Sequence, residues 1–117
     1  MTLKVYGIPN CNTVKKAIDW LKQNHLEYEF HDFKKLGVSE AKLKSWVKEI
    51  GWQPIVNKKG TTWRLLDKSV QETITNEKAA IALMLEKNSV IKRPVIETGK
   101  GIFLGFDEAI YKKEFLK

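Results

Sequence analysis

Leu3-Lys4-Val5-Tyr6-Gly7-Ile8-Pro9-Asn10-Cys11-Asn12-Thr13-Val14-Lys15-Lys16-Ala17-Ile18 is the stretch whose reading decides the fold. Leu3 to Tyr6 alternate and stop at Gly7, Pro9 and Asn10, which predicts a short strand closed by a turn. From Thr13 onward Val14, Ala17, Ile18 and Leu21 recur at spacings of three and four, so one apolar stripe runs along a helix that fades at Asn24. Cys11 therefore lies at or just before the first turn of that helix. Between Glu27 and Phe33, Tyr28 and Phe30 alternate with charged neighbours, which predicts a second strand reached by a short loop and makes a parallel strand-helix-strand unit the natural opening.

Working outward, Ser39 is placed to cap a helix with Leu43, Trp46, Val47 and Ile50 on one face and Gly51 as its stop. Residues 52–66 carry turn formers at Pro54, Asn57 and Gly60 and read as loop, followed by a short helix over 69–74 and a longer one over 76–87. Val90-Ile91 and Val95-Ile96, interrupted by Arg93-Pro94, lead through Thr98-Gly99-Lys100-Gly101 into Ile102-Phe103-Leu104, a predicted hairpin. Asp107 is placed to cap a last helix bearing Ile110, Tyr111, Phe115 and Leu116. The order strand, helix, strand, helical block, strand, strand, helix is an α/β, thioredoxin-like (glutaredoxin-like) plan. The expected organisation is a single domain over 1–117 with a helical insertion at about 36–88.

Composition narrows the function classes. A chain of 117 residues with 43% hydrophobic and 30% charged residues has the make-up of a globular domain. No apolar run approaches the roughly 20 residues of a membrane span, and the N-terminus lacks a signal-peptide core, so a soluble, cytoplasmic protein with no membrane partner is expected. The net charge of +7 raises nucleic acid as a partner. Of the 21 basic residues, however, only Arg64 and Arg93 are arginines; the lysines are scattered, with no run longer than pairs such as Lys15-Lys16 and Lys58-Lys59. Because bidentate phosphate and base recognition favours arginine, the lysines read as solvated surface and nucleic acid is disfavoured.

A chain with 1 cysteine makes no internal disulfide, which leaves Cys11 as a packed thiol, an intermolecular linker or a reactive centre. Its polar turn between strand and helix favours reactivity, because unpaired amides and the positive end of the helix dipole stabilise the thiolate. The segment Tyr6 to Ala17, with Gly60-Thr61-Thr62-Trp63-Arg64 and Ile91-Lys92-Arg93-Pro94-Val95, resembles the arsenate reductase (ArsC) family, in particular its small bacterial YffB-like branch, over nearly the whole chain. The resemblance implies a thioredoxin fold with a helical insertion, an attacking cysteine at Cys11, and a proline at Pro94, in cis, that opens the third strand. It also brings in redox-sensing regulators of the Spx type, which bind RNA polymerase.

Val14 stands where many of the regulators carry a second cysteine, so any adduct on Cys11 must be released by an external thiol. Glutathione, a small acidic tripeptide, is the natural co-substrate for a basic protein, directly or through a glutaredoxin; no bound cofactor is expected. The family's arsenate reductases surround the cysteine with three arginines. Here Arg93 matches one, Asn57 stands near the position of another, and residues 102–106 offer none near the third, so arsenate turnover is expected to be weak or absent. Arg64 is either a replacement charge for an oxyanion or carboxylate or a surface residue. Asn10, Asn12 and Thr13 flank the thiol as helix caps or ligand donors.

His25 and His31 fit no zinc spacing with Cys11, and Trp46, Trp52 and Trp63 read as packing residues. The leading expectation is a thiol reductase in which Cys11 attacks an oxidised substrate and Arg93 stabilises the anion. The alternatives are a regulator-like binding protein contacting RNA polymerase and a true arsenate reductase.

Overall fold

The opening turn forms as its residues dictate: Pro9 and Asn10 occupy the corner between Ile8 and Cys11, and the Cys11 N–H donates back to the Ile8 carbonyl at 3.4 Å. In this computed structural model, which describes residues 2–116, β1 (Leu3–Gly7) enters the turn and α1 (Asn12–Gln23) leaves it. Next come β2 (Tyr28–Asp32), α2 (Phe33–Leu36), α3 (Glu40–Ile50), α4 (Thr61–Arg64), α5 (Lys68–Gln71) and α6 (Glu77–Glu86). A 3₁₀ turn, Asn88–Val90, leads to β3 (Val95–Thr98), β4 (Gly101–Leu104) and α7 (Glu108–Phe115). Two compact units result: one runs up to His31 and resumes at Arg93, and the other is Asp32–Lys92.

The first unit is built on a four-stranded sheet in the order β2-β1-β3-β4. β3 pairs antiparallel with both neighbours, Val5 opposite Ile96 and Ile96 opposite Phe103. Strand alternation sends Leu3, Val5 and Ile96 into a core shared with Ala17, Trp20 and Leu21 of α1 and Tyr111 and Phe115 of α7. Trp20, Tyr111 and Phe115 meet as tilted and edge-on rings 4.9 to 6.5 Å apart. The buried Tyr111 hydroxyl donates to the Gly105 carbonyl at 2.5 Å, and burial, with the Asp107 carboxylate, pushes that phenol far above its usual range. This is the thioredoxin-like fold that the element order predicts.

The caps follow the sequence: Ser39 accepts from the Lys42 N–H at 3.1 Å and Asp107 from Ile110 at 3.2 Å. Asn76 does the same for Ala79 at 2.9 Å. The Asp32–Lys92 unit buries Trp46 and Leu43 of α3, Met84 of α6, and Phe33, Ile55, Val56 and Trp63.

Three expectations need correction there. The second strand ends at Asp32, whose carboxylate accepts from the Lys34 and Lys35 amides and starts α2 at Phe33. The predicted 52–66 loop contains α4, which Gly60 precedes and in which Trp63 is buried. Val90-Ile91 does not join the hairpin: Val90 closes the 3₁₀ turn and Ile91 makes an isolated bridge to Val56, because both side chains are buried in the helical unit. Along α7, Tyr111 and Phe115 are buried, whereas Ile110 and Leu116 are exposed. Among the described residues no helix is long and apolar enough to cross a membrane.

What positions the turn is the close approach of Gly7 to α1. A Cβ built on Gly7 would lie 2.8 Å from Val14 Cγ2 and 3.3 Å from Cγ1, and Val14 is fully buried, with a β-branched side chain that has little rotamer freedom in a helix. Gly7→Ala is therefore expected to destabilise the protein by roughly 1–3 kcal/mol through overpacking, read as a lower urea midpoint with an unchanged slope. An unchanged midpoint would show that Val14 yields without cost.

Candidate active site around Cys11

Cys11 occupies the N-cap of α1 itself, with extended dihedrals of φ −99° and ψ 125°, and its carbonyl accepts the first helical bond from Lys15 at 2.9 Å. Asn12 and Thr13 are the first two helical residues and Asn10 belongs to the turn, so none of the three takes the capping role expected of them; all three are exposed. The thiol is the capping residue's own side chain. It completes no full-geometry cap bond, but the amides of Thr13 and Val14 lie within interaction range of it.

Arg93 is brought to the same thiol, although 82 positions separate it from Cys11 in the chain (93 − 11). It is held just before β3, where the Arg93–Pro94 peptide is cis, Pro94 is buried, and the Pro94 carbonyl accepts from the Gly105 N–H at 2.9 Å. Three influences set the charge state of Cys11. Partial burial pushes the thiol up; the Val14 and Thr13 amides, then the Arg93 guanidinium by hydrogen bond and charge, pull it down, and the net shift is downward. The arrangement is a partly exposed thiol with a cation and two amide dipoles placed to stabilise negative charge on it.

Arg64 is the exposed last residue of α4 in the Asp32–Lys92 unit. Asn57, in the same unit, is committed to its own turn: its side chain accepts from the Lys59 N–H at 3.2 Å, and its backbone N–H donates to the Val90 carbonyl at 2.8 Å. His25 sits in the turn after α1 with a left-handed φ of 56°, and His31 lies on β2 with its ring 4.9 Å from that of Tyr6. Trp46 and Trp63 are buried; Trp52 is half-buried, and the Lys58 ammonium lies 5.9 Å from its ring and 5.3 Å from that of Trp63. The particular amides of Thr13 and Val14 were not singled out by sequence. Their signal was available, because the first turn after any cap residue presents free N–H groups.

Comparison with known proteins gives a consistent result. The model of the ArsC family matches residues 6–114. An uncharacterized protein of Haemophilus influenzae is 39% identical over 97% of this chain and 98% of its own length. The solved structure of a YffB protein superposes with a TM-score of 0.89 at 42% identity, covering 95% of this chain and 96% of that one. The regulatory protein MgsR of Bacillus subtilis is 26% identical over 90% of this chain and 83% of its own.

Iodoacetamide alkylation followed against pH reads the thiolate fraction directly. Because the folded state favours the anion, the rate of Cys11 should reach its plateau at lower pH than that of a free cysteine and fall only as pH drops through the depressed pKa. Arg93→Ala removes a charge that favours the anion, so the midpoint should move to higher pH. An unmoved midpoint would assign Arg93 to structure.

Proposed function

The chain belongs to the ArsC family, and on that premise we propose that it is a glutathione-dependent thiol oxidoreductase whose nucleophile is Cys11. The observation that carries this reading is the placement of one partly exposed thiol against the Val14 and Thr13 amides and the Arg93 guanidinium, all of which favour the thiolate. The substrate class is a mixed disulfide between glutathione and another thiol. Cys11 sulfur attacks the glutathione sulfur, a Cys11–glutathione disulfide forms, the original S–S bond breaks, and the other sulfur leaves as a thiolate and takes a proton from solvent. A second glutathione, as thiolate, then attacks the glutathione sulfur of the adduct. Oxidised glutathione departs and the Cys11 thiolate returns. Electrons balance as one glutathione thiol oxidised to the disulfide level for each substrate sulfur returned to thiol, since the other glutathione sulfur enters already in the mixed disulfide.

The second step comes from outside because Cys11 is the chain's 1 cysteine, and Val14, at the position where a resolving cysteine would lie, is fully buried. Arg93 stabilises the departing Cys11 thiolate, and the exposed Asn10, Asn12 and Thr13 supply donors at the mouth for glutathione or substrate. Arsenate is a poor substrate on this reading. A tetrahedral dianion needs several charge-assisted donors, each worth roughly 1.5–3 kcal/mol, and the Cys11 unit contributes Arg93 as its one arginine. The similarity to MgsR favours a second reading, a regulator that acts by binding, in which Cys11 is at most a sensor.

Treatment with oxidised glutathione tests the first reading. Mass spectrometry should find one glutathione per wild-type chain and none on Cys11→Ser, and the adduct should persist until a thiol or a glutaredoxin is added. Spontaneous release by the isolated protein would sink the external-thiol mechanism. A turnover panel of glutathione mixed disulfides and arsenate should show the disulfides reduced efficiently and arsenate at least tenfold more slowly; comparable arsenate turnover would make the protein an arsenate reductase. Absence of turnover on any substrate would favour the regulator.

A further inference from the structure

Tyr111 carries a hydroxyl into the core of the Cys11 unit. The residue is 1% exposed, and its ring packs against those of Trp20, Phe106 and Phe115 at centroid distances of 5.4, 5.2 and 4.9 Å. A phenylalanine would supply the same apolar contacts without the cost of taking a hydroxyl out of water. The use of the hydroxyl lies in its partner, the Gly105 carbonyl.

The pairing of β3 with β4 explains why that carbonyl needs a donor. Val95 stands opposite Leu104, so one step outward Pro94 stands opposite Gly105, and the Gly105 N–H donates to the Pro94 carbonyl at 2.9 Å. In an antiparallel pair of this kind two residues exchange two bonds, each N–H meeting the other's carbonyl. Pro94 has no N–H, so the ladder leaves the Gly105 carbonyl without its reciprocal donor, and Gly105 is buried. The Tyr111 hydroxyl fills that place at 2.5 Å. The two bonds at Gly105 form one path, from Tyr111 through Gly105 to the Pro94 carbonyl. The preceding residue is Arg93, whose guanidinium lies against the Cys11 thiol, and all of these residues belong to the same compact unit.

We infer that Tyr111 is a positioning residue for the thiol: its hydroxyl holds the Pro94–Gly105 rung closed and so keeps Arg93 at Cys11. This role rests on the reading of Cys11 as a thiol whose anion Arg93 stabilises. Loss of the hydroxyl leaves a buried carbonyl with no donor, a costly state that the chain relieves by turning Gly105 toward water. Gly105, with a left-handed φ of 72° and no side chain, has the freedom to turn. The rung then loosens, and the guanidinium spends less time against the sulfur. Burial holds the phenol above its ordinary range, so Tyr111 keeps its proton, and remains a donor, across the pH range in which a thiol titrates.

The test is the pH dependence of Cys11 alkylation by iodoacetamide in the wild type, Tyr111→Phe, Arg93→Ala and the double variant, with Cys11→Ser as the blank. Tyr111→Phe should move the midpoint to higher pH, by no more than Arg93→Ala does, and below the midpoint its rate should fall roughly two- to fivefold. In the Arg93→Ala background the same change should add nothing, because no guanidinium is left to position. Leu3→Val loosens the same core without touching the hydroxyl and should leave the midpoint in place. In the wild type the Gly105 amide should exchange slowly with deuterium, which NMR reads without any variant. A Tyr111→Phe midpoint equal to that of the wild type, an equal shift with and without Arg93, a Leu3→Val shift as large as that of Tyr111→Phe, or rapid exchange at Gly105 would each overturn the inference. A wild-type thiol that titrates as a free cysteine is a different failure: it removes the reading of Cys11 itself, and the positioning role falls with it.

Discussion

The free amides at the start of α1 meet one sulfur atom, and the chemistry of the Cys11 unit depends on that meeting. Helices present unpaired N–H groups in their first turn wherever they begin. Here the cap position is filled by a thiol in place of the usual hydroxyl or carboxamide, so the electrostatic gain falls on the ionisation of a nucleophile. The geometry is set from below. Gly7 lets β1 end against the fully buried Val14, and the Pro9-Asn10 corner then delivers Cys11 to the cap. Arg93 arrives from the far end of the chain at the entry to β3, the strand that pairs with β1.

The same constraint separates two roles of Val14. Its side chain closes the core under the turn, while its amide faces the sulfur. Under the proposed mechanism, a buried apolar residue at that position leaves a site that is activated internally and repaired by an external thiol. The regulator reading and the reductase reading both use this thiol; they differ in whether its adduct is a signal or an intermediate.

Much of this was legible in the sequence where local chemistry decides structure. The caps at Ser39 and Asp107, the apolar stripe of α1 and the Thr98–Gly101 hairpin turn all form where side-chain type and spacing place them. Residues whose state depends on distant packing were not legible. Val90 and Ile91 look like strand, since both are β-branched, yet they are buried beside Val56 within the helical unit. The four-residue α2 and α4 are too short to show periodicity, although Asp32 ahead of Lys34 and Lys35 was a usable cap signal for α2. At the site, the place of Cys11 at the start of α1 followed from local sequence alone, whereas the contact with Arg93 could be read only through family resemblance, because no local pattern links residues so far apart. Arg64 was a candidate by residue type, and it is the exposed last residue of α4.

The central claim is that the folded turn itself stabilises the Cys11 thiolate. Ultraviolet absorbance of the thiolate, titrated with pH in the wild type and corrected with Cys11→Ser, measures that ground state without any substrate. A midpoint clearly below that of the same protein unfolded in urea is the result the account predicts. Coincident midpoints in the folded and unfolded protein would contradict it, since the amides of Thr13 and Val14 and the guanidinium of Arg93 would then do nothing for the anion.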